Sequence, residues 1–150
     1  PQLKDDHLEA LRAQLPTLVA QDARAIYLFS RLAPDAAFAT LEALRAPGSL
    51  RDLAVLVSQH YPVWANVLQL SAEDTEVLLS ATDAYRRQER FDTLCLHCSL
   101  QDEDGEAKRE AWAVRLSATL TIDTRKIAEG LQGRQIAAAI RSARIDKLKT

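Results

Sequence analysis

The chain has 150 residues, 47% of them hydrophobic, with 19 basic and 21 acidic side chains, four glycines and five prolines. That length suffices for a domain that buries its own core without a disulfide or metal staple. Ala (25) and Leu (23) dominate over eight aromatics, which favours helix and argues against a sandwich or barrel. Near-balanced charge announces neither a nucleic acid nor a membrane, so only its distribution can inform.

Along the chain, Leu8, Leu11 and Leu15 recur at helical spacing within Asp5–Leu15 and predict a first amphipathic helix, broken at Pro16. A second run, Leu18, Ala25, Ile26, Leu28, Phe29 and Leu32, ends before Pro34, which suits the first turn of a third helix reaching Leu44. Pro47-Gly48 closes it. Ser49 is then expected as an N-cap, with Leu50, Leu53, Val57 and Tyr61 on one face and Pro62 as the stop. After a short segment around Trp64, Val67 and Leu68, Ser71 with Asp74 repeats the capping pattern for a helix carrying Val77, Leu78, Ala81 and Tyr85. The segment Glu89–Leu100 turns Phe91, Leu94, Cys95 and Cys98 inward.

The acidic turn Gln101–Gly105 is the clearest loop, and a boundary between a helical subdomain at 1–100 and another at 101–150, together one compact unit, is expected there. Trp112, Leu116 and Leu120 mark the next helix. Asp123 caps a short helix ended by Gly130, and from Gly133 a last helix presents Ile136, Ala139, Ile140, Ala143 and Leu148 on one side. The short β-branched stretch Thr119–Thr124 is too isolated to form a sheet, and no fixed-period repeat is evident. The expected fold is all-α, about eight to ten short helices.

Catalytic signatures are absent: no glycine-rich phosphate loop, no nucleophile elbow, no zinc helix. Cys95 and Cys98 lack the second ligand cluster of a structural zinc site and read as buried thiols in a reducing cytoplasm. No catalytic residue, metal site or cofactor is expected. No apolar stretch approaches bilayer length, and the first residues lack a signal peptide's apolar core, so no membrane partner is expected and the localisation reads as cytoplasmic. Pro1 and the lack of Met fit a piece cut from a longer polypeptide; a trimmed initiator fits Pro1 as well.

Positive charge is uneven. Residues 1–75 carry 6 basic and 9 acidic side chains, whereas 124–150 carry 7 and 2. Arg134, Arg141, Arg144 and Lys147 lie on the last helix, the latter three at successive three-residue steps and so along one face. Arg86, Arg87 and Arg90 form a second cluster at a helix junction. Arg makes up 14 of the 19 basic residues, and its planar fork meets a phosphate with two hydrogen bonds. Solvated faces with intrahelical ion pairs are the competing reading.

Three segments, Leu50–Val57, Ala81–Phe91 and Gly130–Ile136 closing with Ala143–Ile145, resemble in order and spacing the C-terminal helical half of bacterial CCA-adding tRNA nucleotidyltransferases. The likeness covers roughly residues 35–150, with Arg86-Arg87-Gln88-Glu89-Arg90-Phe91 and Gly130-Leu131-Gln132-Gly133 its most specific parts. The resemblance implies a chain that grips tRNA, at its phosphates and elbow, for a parent whose head binds Mg2+ and selects CTP and ATP. Nothing here resembles that head, so the chain alone is expected to be inactive. The His-Asp pair of the phosphohydrolase domain in some relatives is also missing; the equivalent stretch reads Leu28-Phe29-Ser30-Arg31-Leu32. Where relatives have Ala-Asp followed closely by Gly-Arg after the position of Cys98, this chain has Leu100-Gln101 and then Gly105-Glu106. Expected RNA contacts are Arg86, Arg87, Arg90, Gly130, Gly133, Arg134, Arg141, Arg144 and Lys147. A helical protein-interaction module and the matching domain of a poly(A) polymerase are the alternatives.

Overall fold

The computed structural model describes residues 21–149, in which every regular element is a helix and no strand occurs. The all-α expectation holds. The expected helix over Asp5–Leu15 and the apolar position Leu18 lie outside the described residues. The chain divides into two compact units, Pro1–Pro62 and Val63–Thr150.

In the first unit, α1 (Gln21–Phe29) and α2 (Pro34–Ala43) are followed by α3 (Gly48–Trp64), whose last two residues, Val63 and Trp64, belong to the second unit. Ile26, Tyr27, Ala37, Leu41, Ala54, Leu56 and Val57 are buried, with Ala37 and Leu41 four residues apart on α2 and Ala54 and Val57 three apart on the next helix. Pro34 opens α2, where its missing N–H costs nothing. Arg45 closes α2 in the left-handed region at φ 54°: its N–H donates to the Glu42 carbonyl and that of Ala46 to the Leu41 carbonyl, both at 2.9 Å. That pair of bonds is a Schellman closure.

Two expectations for α3 need correction. The helix starts at Gly48, one residue before the predicted cap, because the Pro47 carbonyl already accepts from Leu50 and Arg51 at 3.1 Å; Ser49 sits inside the first turn. Pro62 does not stop the helix either, which runs to Trp64. A proline so near the C-terminus removes one ladder bond, and Trp64 is fully buried, which holds the last turn in place.

The second unit contains α4 (Ala72–Ala81), α5 (Gln88–Ser99), α6 (Gly105–Leu120), α7 (Thr124–Ala128) and α8 (Arg134–Leu148). Its centre is aromatic. The indole N–H of Trp64 donates to Cys95 Sγ at 3.3 Å, the indole N–H of Trp112 donates to the Trp64 carbonyl at 3.0 Å, and Phe91 meets Trp112 edge-on with centroids 6.0 Å apart. Leu78, Leu79, Leu94, Cys98 and Leu116 are buried in the same unit. Both cysteines are free thiols; burial pushes Cys95 up to about 12 and Cys98 upward as well, so neither ionises near neutrality.

The acidic turn lies within this unit, between α5 and α6, which pack on each other. Gly105 makes the close approach possible, since a Cβ there would stand 2.0 Å from the Ser99 carbonyl oxygen. Lys108 Nζ meets Asp102 at 2.6 Å across the same turn, both side chains largely covered. The helix α8 rests on α4, α6 and α7 yet has no fully buried residue, so its attachment depends on half-buried aliphatics and charge. Val77 and Leu120, expected on the packed faces of α4 and α6, are exposed instead, and Tyr85 lies beyond the end of α4.

Candidate nucleic-acid interface

All nine residues expected at an RNA surface lie in the second unit, but the structure sorts them into three groups. The first is the junction between α4 and α5. Ser71 caps α4 as expected, its hydroxyl accepting from the Asp74 N–H at 3.0 Å. At the other end Asp83 takes φ 55° and closes the helix: its N–H donates to the Ser80 carbonyl and that of Ala84 to the Leu79 carbonyl. The chain is thereby turned outward into Arg86–Arg90. Arg86 and Arg87 approach the Asp83 carboxylate at 3.9 and 3.5 Å but stay 81% and 62% exposed. With Gln88, Glu89 and the exposed Arg90 they line one surface depression of about 600 Å³. Exposed pairs this loose cost little to exchange for another anion.

The second group surrounds the start of α8. Asp123 caps α7 as expected, accepting from the N–H groups of Arg125 and Lys126 at 3.1 Å. Gly130 then takes φ 75° and Gly133, the residue before α8, φ 52°. A Cβ at either glycine would meet nothing within 4 Å. Backbone conformation therefore selects glycine at both positions, and the backbone around them is open to solvent. Arg134, first residue of α8, is exposed beside them.

The third group behaves differently. Arg141 and Arg144 both reach Glu76 on α4, whose side chain is only 3% exposed. Arg141 Nε donates to Glu76 Oε2 at 3.2 Å, and the Ser80 hydroxyl donates to Oε1 at 2.6 Å. Arg144 Nη1 stands 3.9 Å from Oε1, and its guanidinium lies over the Tyr85 ring, 3.4 Å from the centroid. Burial raises the Tyr85 phenol above its ordinary range, against the opposing charge of Arg144. Lys147 is exposed, and Lys149 pairs with Glu73 at 2.9 Å. The stripe read as one cationic face is thus divided: Arg141 is 56% exposed and Arg144 only 20%.

Sequence reasoning missed Glu76. Ala72, Glu76 and Leu79 follow helical spacing and set a carboxylate on the buried face of α4, and a buried carboxylate needs a cationic or hydrogen-bonding partner. That lone acidic residue was the signal. Among the described residues, no group of three or more His, Cys, Asp or Glu is placed to hold a metal ion. No catalytic step is assigned to the described residues. No described helix is long and apolar enough to cross a membrane.

Comparison with known proteins gives a consistent result. The chain is 33% identical over 113 residues to a "Multifunctional CCA protein" of Psychromonas ingrahamii, covering 69% of this chain and 27% of that protein. It is 30% identical over 126 residues to a "CCA-adding enzyme" of Pseudomonas putida, covering 81% and 34%. A "CCA-adding enzyme" of Coxiella burnetii is 28% identical over 107 residues, covering 71% and 28%. The chain thus spans about a quarter to a third of the length of these relatives. No family model and no solved structure matches it. The chain is related to the CCA-adding enzymes, consistent with the helical C-terminal part to which the sequence segments pointed.

Proposed function

We propose that this relative of the CCA-adding enzymes is their tRNA-gripping helical part, holding the phosphate backbone near the elbow while a catalytic head adds the 3′-terminal nucleotides. The observation that carries the reading is the arginine junction: Arg86, Arg87 and Arg90 line one open depression with their guanidiniums largely in solvent. Arg134 and the open glycine backbone at 130 and 133 extend the same chemistry. Such a surface suits a partner read by shape and phosphate rather than by base stacking, and the second unit presents no exposed aromatic platform among its described residues. Nucleotidyl transfer with Mg2+, CTP and ATP belongs in this reading to the rest of the parent. The cytoplasm, where tRNA is matured, is the matching compartment.

The test is filter binding of the 150-residue chain to a tRNA transcript lacking its CCA end, at two salt concentrations. Binding is expected at low salt and weakens as salt rises. Substituting Arg86, Arg87 and Arg90 together by Ala should weaken it about tenfold or more with helicity unchanged. Undetectable binding at low salt, or unaltered binding by the triple variant, would count against the proposal. Self-association without RNA binding would instead favour the protein-interaction module.

A further inference from the structure

We infer that Glu76 is a positioning residue that presents Arg141 to an RNA phosphate, while Arg144, on the same stripe of α8, is held as structure. The inference rests on the RNA-binding reading and says which residues of the last helix serve it. A guanidinium has two usable hydrogen-bonding edges: one formed by Nε with a terminal nitrogen, the other by the two terminal nitrogens. Arg141 gives Nε to the buried Glu76 at 3.2 Å. Its second edge, the one that grips a phosphate with two parallel bonds, is left on a side chain that is 56% exposed.

The surroundings leave room for that contact. A groove of about 510 Å³ runs beside this pair between α4 and α8, walled by Val77, Ala137 and Ile140, with Ser80 and Arg144 also at its surface. Ser80 fixes the other carboxylate oxygen at 2.6 Å, so Glu76 is anchored on its own helix and Arg141 is anchored on Glu76. An arginine whose rotamers are already restricted loses less freedom when a phosphate arrives. Arg144 differs in each respect. Its guanidinium is stacked 3.4 Å from the Tyr85 centroid and only 20% of the side chain meets solvent, so far less of it than of Arg141 is offered to a phosphate.

Filter binding of the whole chain to the same tRNA transcript, with circular dichroism melts of every variant, tests the division. Arg141→Ala should weaken binding about fivefold to tenfold and make the salt dependence shallower by about one phosphate contact. Arg141→Lys, which keeps the charge and loses the planar edges, should recover less than half of that loss. Arg144→Ala should lose clearly less affinity than Arg141→Ala, at a temperature where both are folded, while melting lower. Glu76→Gln separates positioning from net charge: it adds a positive unit to the site, which by electrostatics alone tightens RNA binding, whereas loss of positioning weakens it. If that variant fails to fold, the Arg141→Lys comparison carries the decision. Full recovery by Arg141→Lys, or equal loss from Arg144→Ala, would overturn the inference. So would parental binding by Arg141→Ala alongside weakened binding by the Arg86, Arg87, Arg90 variant, and that outcome leaves the RNA-binding proposal standing. No binding by the parent chain overturns both.

Discussion

Arg144 spans two neighbours at once, its guanidinium stacked 3.4 Å from the Tyr85 ring centroid and its Nη1 turned toward the buried Glu76 at 3.9 Å. A cation over an aromatic face is worth about 0.5–2 kcal/mol, more as water is excluded. Removal of Arg144 takes that contact away and leaves Glu76 with Arg141 as its sole ionic partner among the described residues. Arg144→Ala should therefore cost about 1–2 kcal/mol, lowering the melting temperature by roughly 5 °C at this chain length. Arg134→Ala, on an exposed residue of the same helix, should leave it within about 1 °C. Thermal melts followed at 222 nm would decide, and equal melting of the two variants would show that the Tyr85–Arg144–Glu76 arrangement is not stabilising. A combined Arg134, Arg141 and Arg144 variant is a poor probe of RNA binding for the same reason.

Gly105 opens α6 against the end of α5. Alanine ordinarily stabilises a helix by about 1 kcal/mol over glycine, but here its Cβ would fall 2.0 Å from the Ser99 carbonyl oxygen and 2.7 Å from its Cα. Those are backbone atoms with no rotamer to yield, so the helices must separate, and overpacking of this kind costs about 1–3 kcal/mol. Gly105→Ala should lower the urea midpoint despite the better helix former. Gly133→Ala meets no atom within 4 Å, and its cost is that of the backbone conformation alone, about 1–3 kcal/mol at φ 52° and ψ −120°. A urea midpoint for Gly105→Ala equal to or above that of the parent chain would refute the tight approach at Gly105.

Much of this architecture is legible in the residues because local rules decide it. Ser71 and Asp123 cap the helices they were expected to cap, and Phe91, Leu94, Cys95 and Cys98 are buried at their predicted spacing. Pro62 and Ser49 misled because tertiary anchoring at Trp64 and an early carbonyl bond at Pro47 override local stop and start signals. The arginine clusters were visible as charge, but charge alone cannot tell an arginine facing solvent from one reaching a buried carboxylate 65 residues away in sequence. The packing of α8 on α4 decides that difference, and periodicity within either helix does not encode it.

Arg45 tests the same local rules in reverse. It occupies the left-handed position that closes α2, at φ 54°, where an L side chain costs about 1–2 kcal/mol and glycine is the usual occupant. The side chain is exposed. Arg45→Gly relieves that strain while loosening the unfolded chain, which returns roughly 0.5–1 kcal/mol. The net expectation is a stabilisation of about 0.5 kcal/mol, seen as a higher urea midpoint with an unchanged denaturant slope. A lower midpoint would mean that the Arg45 side chain itself contributes more than its backbone costs.

His97 supplies a pH dependence whose sign follows from its burial. It lies in the last turn of α5, half-buried, and desolvation lowers its pKa below the ordinary 6.5. As pH falls through about 6.5 the unfolded chain takes up a proton that the folded chain still refuses, so acidification shifts the balance toward unfolding until the folded-state pKa is passed. The contribution to stability is therefore full above about pH 7 and is lost as pH drops below 6.5. His97→Gln cannot titrate and should flatten this part of the curve. Urea midpoints of the two proteins between about pH 7.5 and 5.5 measure it, since every other titrating group is common to both and cancels in the difference. The parent's midpoint should fall further than the variant's; parallel curves would mean that the imidazole titrates alike in the folded and unfolded chain.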